Sequence, residues 1–204
     1  MDVEEMLDRL GTVLGPPPEG GVAPVPWELG PGVMGFQLPL DYRAFVDRYG
    51  SVSISGELHV RTPSGARGVE ADAPLGFEGF LYGTTNPYGY CAWLAEAHRD
   101  GDHEECPYPL FPAEHGLLRW GNNYNSDYFF WLMRGPDPDR WPVAARFHAR
   151  QEWDLFEGGF LAFLLATVSE RYPYHGAVLP GGVQEVEDGR SYRLRGDWAR
   201  QLPW

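Results

Sequence analysis

The chain contains no lysine: all sixteen basic residues are arginine, set against 29 acids, and the formal net charge over 204 residues is −13. The missing lysine reflects codon bias in a GC-rich genome more than chemistry. The missing positive charge has a stronger consequence, because a nucleic-acid ligand needs a basic stripe that neutralises phosphates and releases their counterions. No nucleic-acid partner is expected. Cysteine is scarce, with Cys91 and Cys106 alone. Two thiols make no disulfide framework, and a reducing compartment is the default. No apolar run reaches the length of about 18 residues that a membrane span requires. The opening Met1-Asp2-Val3-Glu4-Glu5 is acidic, the opposite of the basic start of a secretory signal. A soluble, cytoplasmic protein away from the membrane is the expectation. No Gly-x-Ser-x-Gly, P-loop or Gly-x-Gly-x-x-Gly cradle occurs, and no internal repeat, so no active site is legible.

Apolar and aromatic residues, by contrast, are plentiful at 43% and 15%, enough for one domain over residues 1–204 with aromatics prominent in its core. The best-specified stretch runs from Leu38 to Gly50. Pro39 suits a first helical position, where its missing N–H has no partner to lose, and Asp41 favours the helix's positive end. Tyr42, Phe45, Val46 and Tyr49 fall at i, i+3, i+4 and i+7, one buried stripe. Gly50 suits a helix terminus, and Ser51 to Ile54 alternates as a strand does. A helix here hands over to a sheet.

Upstream, Val3, Met6, Leu7, Leu10 and Leu14 predict an amphipathic helix ended by Gly15-Pro16-Pro17-Pro18 and packed beside the Pro39 helix. A Pro/Gly-rich connector over 15–36 follows, with Trp27 and Leu29 as its expected anchors. Two short strands are expected at Val52–Ile54 and Leu58–Arg61, then a surface loop from Thr62 to Gly79. Tyr90–His98 reads as a helix with Cys91, Leu94 and Ala95 inward, and Asp100–Pro112 as loop. Beyond it, Leu117–Gly121, Tyr128–Met133, Trp141–His148 and Glu152–Phe156 predict a meander of three or four antiparallel strands. The run Phe160 to Val168 is too apolar all round for a surface helix and should lie buried on that sheet. Ser191–Arg195 is a candidate edge strand, and the tail follows. The fold class predicted is α+β, a mainly antiparallel sheet flanked by helices.

Three groups of side chains invite a functional reading. Cys91, His98, His103 and Cys106 are metal-competent and lie within sixteen positions, with His115 nearby, but the close ligand pairs of a zinc site are missing. No metal is assigned. Glu104-Glu105, Asp137/Asp139 and Glu185/Glu187 sit in polar loops where solvated charge is the better account than acid–base chemistry. The third group is the loop from Asn122 to Asp127. There Asn122, Asn123, Asn125 and Asp127 flank Tyr124 and offer a hydrogen-bonding edge with an aromatic anchor, a candidate partner-binding surface. Turn geometry alone accounts for the same residues equally well. Trp120, Trp131, Trp141 and Trp153 are expected in the core.

The motif Leu38-Pro39-Leu40-Asp41-Tyr42-Arg43-Ala44-Phe45-Val46-Asp47-Arg48-Tyr49-Gly50-Ser51 resembles the leading motif of the SMI1/KNR4 (SUKH) superfamily. Leu118-Arg119-Trp120-Gly121, Phe129 to Leu132, Pro138 to Val143 and the helix from Phe160 to Leu165 follow in that family's order. The resemblance covers roughly residues 1–170 and leaves 62–112 and a C-terminal extension from about 173 unaccounted for. It implies an α+β domain with no enzymatic activity and no cofactor. Many bacterial members are immunity proteins, antitoxins that bind and neutralise toxin domains, often nucleases; fungal relatives are regulatory scaffolds. The acidic balance suits the former, since a nuclease toxin carries a basic groove that an anionic surface can cover. Residues 1–102 hold 15 acids and 6 arginines, and residues 103–204 hold 14 and 10, so attraction should be strongest in the first half. A regulatory or scaffold module binding a cellular protein is the alternative, and a metal-dependent enzyme built on Cys91 to His115 a third.

Overall fold

The computed structural model describes residues 1–17, 22–63 and 75–183, together with the backbone of 186–188. Asp2 opens the first helix, α1 (Val3–Leu14), by accepting the Glu5 N–H at 2.8 Å, and Leu7, Leu10 and Leu14 form its buried face. In the connector, a 3₁₀ turn at Trp27–Leu29 runs into a short helix, α2 (Gly30–Met34). Its anchors are Val25, Gly30 and Met34, with Trp27 donating its indole N–H to Asp47 at 2.7 Å. Leu29, expected as an anchor, is 56% exposed. A 3₁₀ turn spreads three residues around its axis, and this one turns Leu29 outward.

Next comes α3 (Leu40–Tyr49), with Tyr42, Phe45, Val46 and Tyr49 all buried as the spacing predicts. Pro39 is its N-cap, so the helix begins one residue later than expected, and Gly50 ends it at φ +71°, a conformation that disfavours any residue with a Cβ. Strands β1 (Val52–Ile54) and β2 (Leu58–Val60) follow. The stretch expected as loop as far as Gly79 already belongs to a helix at its end, α4 (Gly76–Thr85), which buries Phe77 and Phe80. Glycines at 76, 79 and 83 masked that helix, since glycine disfavours helix interiors. Helix α5 (Tyr90–Arg99) buries Cys91 and Leu94.

The remaining strands are β3 (Leu117–Asn123), β4 (Tyr128–Leu132), β5 (Val143–Phe147) and β6 (Glu152–Phe156), with 3₁₀ turns at Pro138–Arg140 and His148–Arg150. Helices α6 (Phe160–Val168) and α7 (His175–Val178) and a strand β7 (Val186–Asp188) complete the order. The predicted meander of three or four strands is present as four, within a wider sheet of seven ordered β6-β5-β4-β3-β2-β1-β7, every neighbouring pair antiparallel. Trp120 is the extra residue of a bulge in β3, where the register steps from Arg119↔Phe130 to Gly121↔Phe129. The expected strand at Ser191–Arg195 and the tail lie outside the described residues.

Helices cover both faces. On one, α1, α3, α4 and α6 meet Leu118, Trp120, Phe129, Trp131, Val143, Ala145 and Phe147 in the main core. Tyr42 sits edge-on to Trp131 at 4.9 Å and to Phe160 at 5.2 Å, and Phe45 stacks on Tyr49 at 5.1 Å. Aromatic edges against faces are the preferred geometry, so the predicted aromatic core is a network of defined contacts. On the other face, α5 and the segment through Cys106 and Leu110 cover Leu117, Phe130, Leu132 and Ala144. Trp120, Trp131 and Trp141 are core as expected, while Trp153 is half-buried on this second face.

Two helix starts are closed from far along the chain. The Leu40 N–H donates to the Asp139 carboxylate at 2.6 Å, and Asp41 in turn accepts the Leu161 N–H at 2.9 Å. Neither helix has a side-chain cap of its own. Gly159 is needed beside this contact, because a Cβ there would stand 2.7 Å from the Asp41 carboxylate. Burial, with the Asp139 charge a smaller contribution, holds the Asp41 carboxyl above its ordinary 3.8 despite backbone N–H bonds that pull it down. A carboxyl raised on folding stabilises fully below its unfolded value, and that contribution is lost as pH rises through the folded one. Asp41→Asn should therefore flatten the decline in melting temperature from about pH 4 toward neutrality, as followed by calorimetry.

Candidate functional site

The hairpin between β3 and β4 is where the sequence places a recognition edge, and its residues divide into two sets. Asn122 and Asn123 are the last residues of β3, not loop. Asn122 accepts a bond from Arg119 at 2.7 Å. Asn123 is 2% exposed and donates to the Asp127 carboxylate at 2.9 Å and the Ala177 carbonyl at 2.8 Å, while its side-chain Oδ1 accepts the Asp127 N–H at 2.9 Å. Asp127, 3% exposed, also accepts the His148 N–H at 2.8 Å. This pair ties the hairpin to α7 and to the turn after β5. Burial raises the Asp127 carboxyl, opposed by the Asn123 amide and the His148 N–H.

The outward set is Tyr124, Asn125 and Ser126, with Tyr124 59% exposed and Ser126 at φ +62° turning the tip. The two sets predict opposite mutational behaviour. Asp127→Ala strands the Asn123 amide and the His148 N–H and should cost about 1–3 kcal/mol in chemical denaturation. Tyr124→Ala should leave stability within about 0.5 kcal/mol.

Beside the hairpin, on the second face of the sheet, lies a polar and aromatic group that the sequence does not announce. Arg146 is 2% exposed in β5. Its guanidinium pairs with Glu105 of the 100–112 segment and donates to the Phe147 carbonyl at 3.0 Å. Tyr90 stacks on Tyr128 at 4.5 Å, and the Arg119 guanidinium lies 4.5 Å from the same Tyr128 ring. The Tyr90 hydroxyl is buried with no hydrogen-bond partner among the described residues, and burial pushes it up to about 12. The alternation Val143-Ala144-Ala145-Arg146-Phe147 puts Arg146 on the face away from the main core, which was the available signal. Its burial depends on α5 and on the 100–112 segment, whose packing no local pattern shows.

The sulfur and imidazole groups converge only in part: the His98 and His103 rings stand 4.9 Å apart, and Cys91 and Cys106 share the second-face core. Burial raises the Cys91 thiol and pushes Cys106 up to about 11, where the reactive thiolate is disfavoured. Cys106 donates to the Tyr108 carbonyl at 3.1 Å, and His98 uses Nδ1 on the Cys106 carbonyl at 2.8 Å. His115 lies apart, its Nδ1 3.3 Å from the Met133 carbonyl. Among the described residues no three His, Cys, Asp or Glu side chains stand where they could hold a metal ion. A shallow cleft of about 370 Å³ runs between the end of α4, one face of α5 and Leu110 to Pro112, with Arg99 in its lining and Cys91 beneath. Asp137 and Asp139 serve as caps, of the 3₁₀ turn and of α3. No helix among the described residues is long and apolar enough to cross a membrane. No family model matches the chain, and neither a curated protein nor a solved structure does.

Proposed function

We propose that the chain is a non-catalytic protein-binding domain of the SMI1/KNR4 type, an immunity protein that neutralises a basic toxin domain, a nuclease being the leading class, in the cytoplasm. The observation that carries this reading is the net charge of −13 on an α+β domain, and the resemblance of its sequence motifs to that family supports it. Asp2, Glu4, Glu5 and Asp8 stand exposed along α1, with Arg9 and Arg48 the basic groups paired there. Such a surface accelerates encounter with a cationic partner and leaves the short-range fit to aromatic anchors. Tyr124 and Asn125 at the exposed hairpin tip are the proposed contacts. A scaffold role toward a cellular protein is the second reading, favoured if no toxin gene lies beside this one.

The test is co-purification with the product of the adjacent gene, followed by titration calorimetry. A tight complex is expected that weakens as salt screens it over a Debye length of about 10 Å near 0.1 M. Tyr124→Ala should weaken it by about tenfold or more. A complex indifferent to ionic strength would remove the electrostatic part of the proposal, and no complex would remove the whole.

A further inference from the structure

Strand β6 ends the sheet, and among the described residues no backbone group bonds to its outer side. Its burial is unusual beside that of its neighbour. All five residues of β5 are buried, whereas in β6 Glu152 is exposed and Trp153, Asp154, Leu155 and Phe156 are each only half-buried. An open ladder edge with apolar side chains left partly uncovered is a template for strand addition. Side chains alternate along it. Trp153 and Leu155 belong to the second face, beside Phe130 and Tyr108, while Phe156 and Asp154 face the α6 side, where Asp154 accepts the Tyr172 hydroxyl at 2.8 Å. By the same alternation Glu152 lies on the α6 side.

That alternation selects the occupant. Residues opposite each other in an antiparallel pair share a face, so a second copy of β6 centred on Trp153 or Asp154 would set acid against acid, and one centred on Leu155 would set the Asp154 carboxylate against Phe156 with no counter-charge. A strand with cationic side chains at alternate positions meets Glu152 and Asp154 instead, and its intervening apolar side chains reach Trp153 and Leu155. We infer that β6 is a docking edge for a basic, alternating β-strand of the partner, added antiparallel as an eighth strand. This deepens the binding-domain reading and rests on it. The hairpin tip lies at the same end of the sheet, since Tyr128 pairs with Arg146 and Arg146 with Trp153. Two strand spacings, about 10 Å, separate Tyr128 at the base of the hairpin from Trp153, and a docked strand lies one spacing further out, so one partner can span both contacts.

The probe is an acetylated peptide of four Arg-Val repeats, with four Glu-Val repeats as control, read by titration calorimetry and by hydrogen exchange of the full chain. The Arg-Val peptide should bind and slow exchange of alternate amides in 152–156 by about tenfold or more, while the Glu-Val peptide does neither. Glu152→Lys with Asp154→Asn, which keeps an acceptor for Tyr172, should weaken binding by about tenfold at an unchanged melting temperature. Binding without protection of β6, or unaffected by that double variant, overturns the inference. So does β6 protected already in the free chain, covered by residues 189–204 or by a second copy. The adjacent-gene product separates the two claims. A complex that leaves β6 unprotected ends the docking edge and keeps the binding domain. No complex, with β6 still protected by the Arg-Val peptide, does the reverse.

Discussion

Replacing Glu105 with alanine should lower the free energy of unfolding by about 3–5 kcal/mol, because it leaves the Arg146 charge buried and without its carboxylate. The Arg146 side chain is 2% exposed and that of Glu105 17%, so water can do little to compensate. The other hydrogen bonds of the Arg146 guanidinium, to the Phe147 and Glu152 carbonyls, are to dipoles and not to a counter-charge. A second effect adds to the first. Glu105 belongs to the segment that covers the sheet's second face, and the Trp153 indole N–H donates to its carbonyl at 2.8 Å. Loss of the ion pair therefore loosens the cover over Phe130 and Leu132. The double variant Glu105→Leu/Arg146→Met should recover much of the loss, since a well-packed apolar pair is often as stable as a buried ionic one. Urea denaturation with a constant m-value is the measurement. A surface pair gives the contrast: breaking Arg9–Glu5, both about half exposed, should cost no more than about 0.5 kcal/mol. An equally small cost for Glu105→Ala would mean that water reaches the Arg146 guanidinium.

Tyr42→Ala should be comparably damaging, at about 3–5 kcal/mol, through the cavity it opens. The ring touches Trp27, Phe80, Trp131 and Phe160, which come from the connector, α4, β4 and α6, so four separate elements lose a common neighbour. Its hydroxyl donates to the Arg61 carbonyl just beyond β2, and burial raises the phenol well above its ordinary 10.0. Tyr42→Phe isolates that bond. It keeps the packing and leaves one carbonyl unsatisfied, for an expected loss of about 1–3 kcal/mol. Equal losses from the two variants would mean that the hydroxyl, not the ring, holds the centre together. Both are read from the same denaturation curves.

Much of this centre was legible in the sequence. The stripe Tyr42, Phe45, Val46 and Tyr49 is buried on its helix, and the apolar run from Phe160 faces the sheet, because periodicity and hydropathy report directly on which side of an element avoids water. What escaped was set by distant chain. Helix α4 is punctuated by glycine and holds its place through Phe77 and Phe80, which pack on Trp27 and Tyr42. The width of the sheet depends on β7, whose backbone pairs with β1 from more than a hundred residues away. At the candidate site, composition located the hairpin but could not sort its residues. Asn123 and Asp127 turn inward because Ala177 and His148 offer them partners, while Tyr124 and Asn125 turn out. The Arg146–Glu105 pair was illegible for the same reason, its halves being 41 residues apart.

The exchange of carboxylates between Asp139, α3 and α6 bears on the order of assembly. Helix α3 receives its N-terminal acceptor from a residue 99 positions later, and α6 receives its own from one 120 positions earlier. During synthesis the first sixty residues therefore emerge with the Leu40 N–H still hydrated, and the first-turn bond that caps the helix waits for Asp139. Contacts of such long reach slow the search, since loop closure must precede their reward. Refolding on the millisecond-to-second scale is the expectation. An N-terminal fragment ending at residue 63, offered fragment 75–204 in trans, should gain helix only on mixing.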